Sequence, residues 1–143
     1  MTTTSSEVKF PHIPTATHCA CCGIKLTRGG YLVPVIGAVG PVCQQKFGPL
    51  ADVIELLDGR PEATLTSEDA RNITTRLMIA LRMIGVTVTR DAGTIRIGTL
   101  TRKAAEVAKS YKARREQFVQ DLQIASGFYG ADAQAARAQA VAA

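Results

Sequence analysis

Cys19, Cys22 and Cys43 are the residues whose type and spacing could do chemistry in this chain. The stretch Cys19-Ala20-Cys21-Cys22-Gly23 contains a C-x-x-C-G knuckle. Two residues between cysteines let both thiolates turn toward one ion. The glycine that follows permits the tight turn that aims backbone N–H groups at the sulfurs. Cys43 comes just after Gly40-Pro41, where a helix is expected to begin and its dipole to favour thiolate over thiol. Ligands from a knuckle and a helix start are the layout of treble-clef and ribbon zinc modules, which need a fourth donor.

A second C-x-x-C would place that donor at residue 46, but the residue there is Lys46. His12, His18 and Cys21 remain. His18 adjoins Cys19, and neighbours in an extended strand point to opposite faces. Cys21 lies inside the knuckle and is expected to face away. His12 is therefore the favoured fourth ligand, with His18 as its alternative. A redox pair fits less well, because a thioredoxin-type C-x-x-C opens a helix, whereas Gly23-Ile24-Lys25-Leu26 reads as turn and strand. Residues 18–47 contain no Asp or Glu. The expected cofactor is thus a structural Zn2+, whose binding offsets the core that a segment of this size cannot build. Four buried or free cysteines are the plainer alternative.

The elements around the cluster read as α+β. Residues 1–17 look like a flexible arm, residues 18–47 like the zinc-knuckle module, residues 48–127 like a helix-helix-hairpin-helix region, and residues 128–143 like an Ala-rich tail. Leu50, Val53, Ile54 and Leu57 recur at i, i+3, i+4 and i+7 behind Pro49, which suits a first helical position. Thr66 or Ser67 can cap a second helix, whose apolar stripe runs from Ala70 to Ile84 and which Gly85 ends. Met78, Ile79 and Met83 fall outside that stripe, which predicts burial or a subunit contact. Alternation of Val86, Val88, Ile95 and Ile97 about Asp91-Ala92-Gly93 predicts a β-hairpin. A long helix is expected from about Arg102, capped by Thr101, to Ser126, with Gly127 as its end.

The motifs C-x-x-C-G-x-x-L, at residues 19–26, and G-x-x-G-P-x-C, at residues 37–43, resemble those of a small zinc-finger family of unassigned function found in bacteria and their phages. The likeness covers about residues 19–46 and carries over Cys19, Cys22 and Cys43 as metal ligands. It implies zinc binding and nucleic-acid work, and no enzymatic activity.

Charge supplies an independent functional lead. The net charge of +5 is unevenly spread: residues 48–70 are acidic, whereas residues 71–115 carry only Asp91 and Glu106 against many Arg and Lys. Such a field attracts polyanions, of which nucleic acid is the commonest. Arg71, Arg82, Arg90, Arg96, Arg102, Lys103, Lys109, Lys112 and Arg114 are the candidate phosphate contacts of an accessory or regulatory factor. The alternative is a protein-interaction module, such as a phage-type adaptor or an inhibitor of a host factor, self-associating as a homodimer in its simplest form. No phosphate-cradling loop, H-E-x-x-H or serine elbow is present, so catalysis is not expected. No apolar run is long enough for a membrane span, and the N-terminal stretch has neither the basic start nor the apolar segment of a secretory leader. The reducing cytoplasm is accordingly the expected compartment.

Overall fold

The computed structural model describes residues 10–142, and the side chains of residues 10–130. It is an α+β fold built from two small antiparallel sheets and a set of helices dominated by a long C-terminal one. Strands β1 (His12–Ile13), β2 (Gly30–Val33) and β3 (Gly37–Val39) form one sheet in that order, with His12 opposite Tyr31 and Tyr31 opposite Val39. A single turn, α1 (Pro41–Gln44), leads through a 3-10 turn at Gln45–Phe47 into α2 (Gly48–Leu57). Then come α3 (Glu68–Ile84), the hairpin β4 (Val86–Asp91) and β5 (Thr94–Leu100), and α4 (Ala104–Ala142).

Most of these elements form where local chemistry dictates. Ser67 caps α3 by accepting the Ala70 N–H at 3.1 Å, with Glu68 and Asp69 in the first turn beside the positive end of the dipole. Leu50, Val53, Ile54 and Leu57 bury the inner face of α2, and Ile73, Leu77, Leu81 and Ile84 that of α3. Val86, Val88 and Ile95 supply the apolar side of the hairpin. The connection between α2 and α3 is stitched to that hairpin: the Gly59 N–H donates to the Ile95 carbonyl at 2.7 Å, and the Glu62 N–H to Gly93 at 2.8 Å.

Three expectations change. The stretch read as an arm is structured from residue 10, because β1 pairs with β2 and the Leu26 N–H donates to the Thr17 carbonyl at 2.7 Å; residues 1–9 lie outside the described residues. Gly127 does not end α4, which runs on to Ala142. An exposed helical glycine costs about 1 kcal/mol, and burial of Tyr129 beyond it opposes that cost. The Tyr129 hydroxyl shares a 2.5 Å hydrogen bond with Thr74 of α3, and Arg60 lies 4.1 Å above its ring. Thr101 does not cap α4; its hydroxyl donates to the Gly85 carbonyl at 3.2 Å. Of the surplus apolar residues on α3, Met78 is buried, whereas Ile79 and Met83 stay exposed.

A single apolar core runs through the cysteine module, α2, α3, the hairpin and α4. Its aromatic bridge is Tyr111 of α4, which stacks on Phe47 at 5.8 Å and meets Phe118 at 5.5 Å.

Candidate metal centre

The knuckle closes as its residue types require. The Gly23 N–H donates to the Cys19 carbonyl at 2.8 Å, and the Cys19 N–H to the Ile24 carbonyl at 2.9 Å. Gly23 has φ 78°, a conformation that L side chains resist and glycine accepts. From the other side, the Gly40 N–H donates to Cys19 Sγ at 3.3 Å, and α1 delivers Cys43 one turn later. A close approach holds the base of the sheet: at Gly29 (φ 74°) a β-carbon would run into the backbone of Ile13 and Pro14.

The sulfurs of Cys19, Cys22 and Cys43 lie within 4.8 Å of one another. The Cys43 thiol donates to Cys22 Sγ at 3.7 Å. Burial alone would raise the Cys19 thiol, but the N–H groups of Cys22, Gly40 and Cys21, with help from the Cys22 side chain, lower it to about 7. Cys43 is pushed far upward by burial and by its hydrogen bonds to Cys19 and Cys22. Cys19 is thus favoured as a thiolate over Cys43. A divalent cation would displace the thiol protons and invert the ordering at Cys43. Sulfurs gathered without a carboxylate or imidazole among them are the donor set of a soft or borderline cation. Cys19, Cys22 and Cys43 together could thus hold a metal ion.

Neither histidine joins them. Strand pairing fixes His12 in β1, where its ring packs 5.2 Å from Tyr31 and its Nε2 hydrogen-bonds the Arg28 carbonyl at 2.8 Å. His18 is exposed, with Nδ1 3.1 Å from the Thr17 hydroxyl. Cys21, expected to face away, is also outside that group, though it is half-buried and interacts with the Cys43 side chain; burial raises its thiol.

The basic residues divide into two groups. Arg71 donates to the Leu65 and Thr66 carbonyls at 3.1 and 3.2 Å, and Arg82 to the Val88 carbonyl at 2.8 Å. Arg90 pairs with Glu62, and Arg102 donates to the Met83 carbonyl at 2.7 Å. These four hold turns and strand ends in place. Arg96, Lys103, Lys109, Lys112 and Arg114 are exposed. Sequence spacing gave no sign of the division, because the acceptors are mostly backbone carbonyls.

No protein-family model, curated protein or solved structure matches this chain. The cysteine geometry and the charge distribution therefore carry the functional reading.

Proposed function

We propose that the cysteine group holds a structural Zn2+ and that the protein is a non-enzymatic accessory or regulatory factor that binds nucleic acid. The convergence of Cys19, Cys22 and Cys43 carries the metal half of this reading. When bound, the ion supplies folding energy: it ties the knuckle to α1 without offering a general acid or base beside it. Cys21, already against Cys43, is the proposed fourth thiolate in place of His12 or His18. With Co2+ as a spectroscopic stand-in, Cys21→Ser is expected to weaken the sulfur-to-cobalt charge-transfer band per bound ion, and His12→Ala to leave it unchanged. An unchanged band in Cys21→Ser would return the fourth position to another donor.

The nucleic-acid half is supported by the bases that are exposed and have no ion pair among the described residues, namely Arg96, Lys103, Lys109, Lys112 and Arg114. Such side chains make phosphate contacts that position a strand without reading its sequence. Five such contacts lose affinity on the order of several-hundred-fold between about 50 and 200 mM salt. Fluorescence anisotropy with duplex and single-stranded oligonucleotides is expected to show that loss. Absence of binding at low salt would favour the interaction-module reading, which Ile79 and Met83 support: they lie four residues apart on α3 and are 48% and 51% exposed. In that case light scattering would report a dimer.

A further inference from the structure

We propose that the cavity between the cysteine module and α4 binds a phosphate group. Its volume is about 310 Å³; Lys46, Lys109, Lys112 and Arg115 line it together with Cys21, and no carboxylate is among the lining residues. Lys46 arrives from the 3-10 turn after Cys43, the others from successive turns of α4, so the cavity exists only where module and helix meet. Among the described residues, the ion pairs are Arg76 with Asp121 and Arg90 with Glu62, so none of these four cations is neutralised by one. Cations crowded around one concavity repel each other and concentrate an anion there. A phosphate dianion relieves more of that repulsion than a carboxylate does.

The Tyr111 ring lines the same cavity, while its buried hydroxyl sits by the Leu50 backbone, the Arg115 guanidinium and the Asp52 carboxylate. Phe47, Ala105 and Ala108 form an apolar wall beside the cations, and the volume leaves room for the sugar that a nucleotide phosphate brings. The site does not depend on whether the rest of the basic surface meets nucleic acid.

The test uses the full, metal-loaded chain and inorganic phosphate, followed by calorimetry or phosphorus NMR. Saturable binding is expected. Lys109→Glu and Lys112→Glu, both at exposed positions, should each weaken it about tenfold, the size of one charge-assisted hydrogen bond, while Arg28→Glu in the cysteine module leaves it unchanged. If 5′-phosphorylated oligonucleotides bind tighter than 5′-hydroxyl ones, the occupant is a terminal phosphate; equal binding, weakened by both variants, makes it a backbone phosphate. Phosphate binding without oligonucleotide binding upholds the site and removes the nucleic-acid reading. Oligonucleotide binding with no saturable phosphate binding, or with both variants behaving as the wild type, overturns the site and leaves that reading standing.

Discussion

Cys43→Ser is expected to strip the chain of its metal and unfold residues 10–47. Val33, Ile36, Val39 and Phe47 are the main buried apolar side chains of that stretch, and its strands span two to four residues. Burying an aliphatic or aromatic side chain contributes about 1.5–3 kcal/mol, and ordering the backbone costs about 1–2 kcal/mol for every residue. The module is therefore in deficit without another source of free energy. Structural zinc in small fingers supplies about 10–16 kcal/mol, comparable with the whole stability of an ordinary domain. Metal analysis and circular dichroism check the expectation, and chelation of the wild-type chain should reproduce the phenotype. A variant that keeps one ion per chain and melts with the wild type would dispose of the metal reading. So would a chelated wild type with unaltered melting.

Tyr111→Ala should cost about 3–5 kcal/mol, the range for deleting a buried ring. The ring is packed between Phe47 and Phe118, so its loss opens a void where module and long helix meet. Tyr111→Phe should be neutral or slightly stabilising, since the hydroxyl it removes closes no hydrogen bond. Urea denaturation of the two variants measures both effects. A loss in the phenylalanine variant as large as in the alanine variant would mean that the hydroxyl, and not the ring, holds this contact.

Much of the architecture was legible because short-range rules settle it. The stripe on α2, the Ser67 cap and the alternation in the hairpin each specify an element from a few neighbouring residues. The knuckle was legible for the same reason: Cys19, Cys22 and Gly23 close their turn among themselves. What stayed hidden depends on residues distant in sequence. β1 is two residues long and exists only because β2 accepts it. Extension of α4 past Gly127 is favoured by Tyr129 reaching Thr74 across the fold. Arg71, Arg82 and Arg102 look like free cations until the carbonyls they hold come into view. Cys21 was expected to face away, and it stands outside the group of Cys19, Cys22 and Cys43 while touching Cys43.

Phe47 follows Cys43 by one helical turn, and its ring lies against Tyr111. Whatever orders the sulfurs therefore also seats the helix that carries Lys109, Lys112 and Arg115, and thermodynamic reciprocity makes the relation run both ways. If the sulfurs hold a cation and the cavity an anion, each changes the other's affinity by the same factor. Depletion of either one would then register at the other.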